Sequence, residues 1–179
     1  MAMTRNRILF AAACLAVLAG AVARAEVKET DNGWTVNDRI DKDEKWSPKK
    51  DQVQLLVVGS ATVAQGKTVK IGAGLLIDVM PTAPAAMTGM LQVDGTLEVR
   101  GTEDEPVLFR GWSGELALIV TRNGDLNVKN AIFKDMKIEI GDGKAEFDNC
   151  LFDNCSMKYT ATPRAQSLSL SKCTFRNCK

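Results

Sequence analysis

The chain has 179 residues, 45% of them apolar, with 23 basic and 22 acidic side chains, five cysteines and no histidine. That is about one domain's worth of globular sequence, and the near-zero net charge excludes a general nucleic-acid binder, which needs a cationic face. Without histidine there is no Ser-His-Asp or Cys-His nucleophile pair and no HExxH zinc site, so any chemistry falls to carboxylates, Lys, Arg, Tyr or Cys.

Residues 1–25 carry the pattern of a secretory signal. Arg5 and Arg7 precede an apolar run from Ile8 to Val22, and Ala23-Arg24-Ala25 supplies a small-x-small cleavage pattern, so removal after Ala25 is expected. The run of 15 residues falls short of the ~20 needed to span a bilayer, and no later segment is apolar enough to be transmembrane. Cleavage leaves 20 bases against 22 acids, and four cysteines. A secreted or periplasmic location by bacterial-type export follows as the expectation.

Residues 26–52 form a charged lead-in. Its first 26 residues hold eight acids and six bases, with Trp34, Ile40 and Trp46 as the large apolar side chains. The segment reads either as a solvated approach or as an N-terminal cap, with the two tryptophans covering the first layer of the body.

The body, residues 53–179, is a repeat. TVKIGAGLLIDV (68–79) and MLQVDGTLEVRG (90–101) match at a shift of 22, which sets Val69 with Leu91, Ile71 with Val93, Leu75 with Leu97 and Ile77 with Val99. Each pair sits at period-two spacing, as in strands burying one face. Ala73 and Gly95 would mark a common bend. The C-terminal copies LNVKNAIFKDM (126–136), AEFDNCLFDNC (145–155) and LSLSKCTFRNC (168–178) align without gaps at shifts of 19 and 23. Their apolar columns include Ala131/Cys150/Cys173, Phe133/Phe152/Phe175 and Met136/Cys155/Cys178. The parity of the buried positions changes between Val128 and Ala131, where Asn130 and Asn149 stand, and Asn tolerates left-handed backbone.

Strand-length pieces at 20-odd residues, with no helical periodicity, indicate a β solenoid. The leucine-rich pattern LxxLxLxxN is absent, and an ordinary β-sandwich is the competing architecture. The run LQVDGTLEVRGTEDEPVLFRG (91–111), with the NCxFxNC-like copies at 149–155 and 172–178, resembles right-handed parallel β-helix proteins of the pectin-lyase-like superfamily. That resemblance implies an all-β, single-stranded right-handed parallel β-helix of about six coils. It says nothing of activity, because the fold hosts lyases, hydrolases, adhesins and proteins without known chemistry.

Under that fold the phenylalanines form an interior ladder, while Lys134, Asp153 and Arg176 form an outward charged column beside a turn-closing column of Asp135, Asn154 and Asn177. Cys150 would lie over Cys173 and Cys155 over Cys178. One rung of ~4.8 Å suits either two disulfides or a reduced thiol ladder. The C-x4-C spacing and inward direction disfavour a zinc cluster, and no metal or cofactor is expected.

Enzymes of the resembled superfamily use outward carboxylates with Arg or Lys. The cluster matching that description is Asp78, Asp94, Glu98 and Arg100, with Asp78 and Arg100 stacked by the shift of 22. A surface salt bridge is the plainer reading of it. The segment after Asp153 contains Lys158, Arg164, Lys172, Arg176 and Lys179 and no acid. Lys172 and Arg176 could guard an open end against edge growth, or dock a polysaccharide or an acidic cell-envelope protein. The expectation is an exported, non-catalytic binding or structural module, with a small polysaccharide lyase or hydrolase as the alternative. End-to-end self-association is the expected mode if copies associate.

Overall fold

The computed structural model describes residues 27–30, 33–48, 55–81, 89–112, 116–160, 162 and 167–179. Residues 1–25, where a secretory signal is expected, residues 82–88 of the long insertion and Arg164 lie outside them.

All regular structure among the described residues is β. The strands are β1 (Val27–Thr30), β2 (Gly33–Ile40), β3 (Glu44–Trp46), β4 (Leu55–Val63), β5 (Thr68–Gly72), β6 (Leu76–Val79), β7 (Met90–Val93), β8 (Thr96–Arg100) and β9 (Val107–Gly111). There follow β10 (Leu116–Val120), β11 (Asp125–Lys129), β12 (Ala131–Lys134), β13 (Lys137–Ile140), β14 (Lys144–Asp148), β15 (Leu151–Asp153), β16 (Ser156–Tyr159), β17 (Ser167–Ser171) and β18 (Thr174–Arg176).

From β5 onward each strand pairs in parallel with the strand three places ahead. One six-stranded sheet runs β3-β5-β8-β11-β14-β17. The other has two arms, β6-β9-β12-β15-β18 and β7-β10-β13-β16, joined through β4. The nine residues of β4 seed both arms: Leu55–Val58 pair with β6 and Ser60–Val63 with β7. The sheet therefore curls strongly around one core. Among the described strands only β1 runs antiparallel, against β2.

The core consists of files of like side chains, one from each layer of three strands. Trp46, Ile71, Val99, Val128, Phe147 and Leu170 form one file, so Trp46 of the lead-in stands on the first body layer. Leu56, Ile77, Phe109, Phe133, Phe152 and Phe175 form another. In it the rings of Phe109, Phe133, Phe152 and Phe175 stack with centroids 4.9, 5.0 and 4.8 Å apart, tilted by 7–9°. Phe147 meets Phe133 and Phe152 edge-on at 5.7 and 5.3 Å. The expected ladder of three rings thus has four.

Corners are made by residues that accept left-handed backbone. Asn130, Asn149 and Lys172 have φ of 51°, 53° and 52° at one corner; Asp135, Asn154 and Asn177 have 55°, 52° and 55° at the next. Asn149 Nδ2 donates to Asn130 Oδ1 at 2.7 Å, and Asn130 Nδ2 donates to the Gly101 carbonyl at 2.9 Å. Side-chain amides thereby add to the backbone bonds that tie successive layers at this corner, such as those from the Asn130 amide to the Asp148 carbonyl at 3.0 Å and from the Asn149 amide to the Ser171 carbonyl at 2.9 Å.

The expected shifts of 19 and 23 match the pairing of β11, β14 and β17. The expected shift of 22 does not hold. Val69 lies beside Leu97 and Ile71 beside Val99, a shift of 28, while Leu91 and Val93 lie beside Ala61 and Val63. Ala73 and Gly95 accordingly occupy different corners. The insertion at 80–89 lengthens that layer, and period-two alternation is satisfied equally well by any even shift. All these side chains still point inward, as alternation requires.

Candidate functional site

The cluster of Asp78, Asp94, Glu98 and Arg100 expected from the sequence does not assemble. Asp78 lies on the outward face of β6, and its register neighbour is Arg110 of β9, not Arg100. Arg110 Nε donates to Asp78 Oδ1 at 2.8 Å and Nη2 to Oδ2 at 2.6 Å. This bidentate pair raises the Arg110 pKa above its ordinary value, through the hydrogen bond to Asp78 first and its charge second. Glu98 and Arg100 belong to the other sheet. Glu98 faces Lys70 at 3.7 Å, while Arg100 Nη1 donates to Asn127 Oδ1 at 2.8 Å. Asp94, at the end of β7, accepts from Gln92 Nε2 at 2.9 Å and Thr121 Oγ1 at 2.7 Å. Each carboxylate is engaged by its scaffold neighbours. The cause of the misplacement is the wrong register of the two strands that bear these residues.

Lys172 and Arg176 do come together. Both line an open groove of about 340 Å3, on the outer face of the β9-β12-β15-β18 arm. Its floor carries the half-buried outward side chains of Ile132 and Leu151, and Thr102, Glu103 and Pro106 form the opposite wall. Asn130 and Asn149 contribute amides from the corner.

Beside the groove runs one outward file, Asp78, Arg110, Lys134, Asp153 and Arg176. Lys134, Asp153 and Arg176 are in the expected register, but Asp153 accepts from Asn177 Nδ2 at 3.1 Å rather than closing an ion pair with either base. The groove therefore combines an apolar floor, amide donors and two cations with one acid, Glu103, opposite. Chemically this suits an extended anionic ligand: the cations attract it and the amides fix its orientation.

Sequence patterning does not single out Glu103 of the groove, and the expected cluster omits Arg110, the partner of Asp78. A signal for Arg110 exists, because PVLFRG (106–111) aligns with NAIFKD (130–135) and sets Arg110 on Lys134.

The four cysteines of the body are free thiols. Cys150 and Cys155 are buried and Cys173 and Cys178 half-buried. Cys155 Sγ donates to the Phe133 and Asp153 carbonyls at 3.3 and 3.4 Å, and Cys178 Sγ to those of Arg176 and Phe152 at 3.3 and 3.4 Å. Burial pushes the Cys150 thiol up to about 12 and also raises Cys155. The two cysteine columns flank β15 and β18, one before and one after each strand, so they form two separate pairs. Among the described residues no group of three or more His, Cys, Asp or Glu side chains is placed to hold a metal ion.

Compared with protein-family models, with curated proteins and with solved structures, the chain gives no match.

Proposed function

We propose that the chain is an exported, non-catalytic binding module built as a right-handed parallel β-helix of the pectin-lyase-like type, and that it holds an anionic polysaccharide along the groove at Lys172 and Arg176. The right hand is supported by the rule that parallel crossover connections take that hand in about 98% of cases. Export is supported by the basic start, apolar run and Ala-Arg-Ala pattern of residues 1–25. The observation that carries the binding reading is the convergence of Lys172 and Arg176 on one groove with an apolar floor and amide-bearing corner.

The enzymatic alternative, a lyase or hydrolase, needs carboxylates facing one opening, whereas Asp78 and Glu98 stand on different sheets and each faces a base. A glycan array that includes polygalacturonate tests the binding reading. Wild type should retain acidic glycans and the Lys172→Ala/Arg176→Ala variant should lose them; unchanged binding by that variant rejects the groove. Turnover of acidic and neutral polysaccharides, with and without calcium, that disappears in an Asp78→Ala/Glu98→Ala variant would favour the enzyme instead.

A further inference from the structure

One outward file of the arm that carries the groove is aliphatic. Leu76, Leu108, Ile132 and Leu151 follow one another on successive layers, and all four side chains are half-buried. The fold does not require this: the middle outward file of the six-stranded sheet reads Lys45, Lys70, Glu98, Asn127, Glu146 and Ser169. Ile132 and Leu151 are the part of the aliphatic file that lines the groove, and Pro106 adds apolar surface from the opposite wall. Lys172 and Arg176 are exposed, and neither pairs with a carboxylate among the described residues. The groove therefore offers charge to one part of a ligand and aliphatic contact to another.

An unsubstituted polyuronate uses only the charge. Its hydroxyls, laid against Ile132 and Leu151, would exchange water for side chains that form no hydrogen bonds, at a cost for each group left unpaired. A small apolar group on the sugar gains at the same place, because covering aliphatic surface stabilises in proportion to its area. We infer that the acidic glycan held by this groove is O-acylated, with ester groups seated on Ile132 and Leu151 and carboxylates facing Lys172 and Arg176, an assignment that rests on the glycan reading of the groove. An O-acetyl ester has the matching parts. It is neutral, so the charge that meets the two bases is unchanged, and its methyl covers the floor. Asn149 spends one of its two amide hydrogens on Asn130 and keeps the second for the ester carbonyl.

The test uses a partly O-acetylated polyuronate and the same sample after mild alkaline hydrolysis, which removes the acetyl groups and leaves the number of carboxylates unchanged. Affinities for the two forms are measured by titration calorimetry on wild type, on Leu151→Thr and on Ile132→Thr/Leu151→Thr. Threonine already stands in this file at Thr174, and melting curves check that each variant folds. Wild type should bind the acetylated form about fourfold more tightly or better, the worth of one buried methylene-sized group. The ratio should fall in Leu151→Thr and reach about 1 in the double variant. Equal binding of the two forms by wild type, or a preference that survives in both variants, overturns the inference and leaves the glycan reading standing. Binding of neither form by wild type overturns the glycan reading and the inference with it.

Discussion

The amide of Asn149 donates to Asn130 Oδ1 at 2.7 Å across two layers, and both residues hold left-handed backbone, with φ of 53° and 51°. Asn serves twice here: it accepts a φ that most side chains resist, and its side-chain amide adds a bond between layers to the backbone bonds of the corner, such as that from the Asn149 amide to the Ser171 carbonyl at 2.9 Å. Asn149→Ala loses both contributions, the conformational one being worth ~1–2 kcal/mol and the hydrogen bond ~1 kcal/mol. Asn149→Gly keeps the backbone freedom and loses only the bond. Urea unfolding should therefore rank wild type above Asn149→Gly and Asn149→Gly above Asn149→Ala. An alanine variant as stable as the glycine variant would show that the corner is not conformationally demanding.

Phe152 stands midway in the ring file, stacked on Phe133 at 5.0 Å and Phe175 at 4.8 Å, with Phe147 edge-on at 5.3 Å. Truncation removes three ring contacts and leaves a cavity that strands paired on both sides are slow to close. Phe152→Ala should cost ~3–5 kcal/mol. Phe175→Ala, half-exposed on the last layer, should cost much less. Equal losses for the two, read from urea midpoints, would contradict the ladder as the source of the stability.

The difference between these two rings also shows what alternation reveals and what it leaves open. The inward or outward direction of Val69, Ile71, Val93 and Val99 is readable because each strand has a period of two. The vertical partner of each is not, because a shift of 22 and a shift of 28 put the same side chains inside. In the C-terminal copies the Phe and Cys positions break that degeneracy, and there the register is readable. The site suffers from the same ambiguity: a slipped register puts Asp78 with Arg100, while the true partner, Arg110, lies in the stretch that carries the family resemblance. Lys172 at φ 52° is marked only by its column, in which it aligns with Asn130 and Asn149, because nothing in a lysine side chain announces left-handed backbone.

Gly124 and Gly66 are both turn glycines, needed for different reasons. A Cβ on Gly124 would run into the Val93 carbonyl oxygen of the layer below and approach Val120 Cγ1 to 2.9 Å. At Gly66, where φ is 73°, a Cβ meets nothing within 4 Å. Gly124→Ala forces backbone to move against backbone and should cost about 3 kcal/mol or more. Gly66→Ala bears only the left-handed penalty, ~1–2 kcal/mol. Thermal melts of the two variants side by side should give a clearly larger drop for Gly124→Ala; the reverse order would mean that the layers at Gly124 are not in close contact.

Cys150 makes stability depend on alkaline pH. Burial raises its thiol from 9.0 to about 12 in the folded chain, so between those values the unfolded chain binds fewer protons than the folded one. Stability must therefore fall as pH rises, by up to ~1.4 kcal/mol per unit for one thiol, being fully present below about pH 9 and lost on the way to 12. The premise is a free thiol, so a thiol assay in denaturant without reductant should count four in a chain of residues 26–179; two would mean that one cysteine pair is bonded. Urea unfolding of wild type and Cys150→Ala at pH 8 and 10.5 then isolates this thiol, because every other group is common to the two proteins. Between the two pH values wild type should lose ~1–2 kcal/mol more than Cys150→Ala. Parallel losses in the two proteins would mean that the thiol is not held protonated by the core.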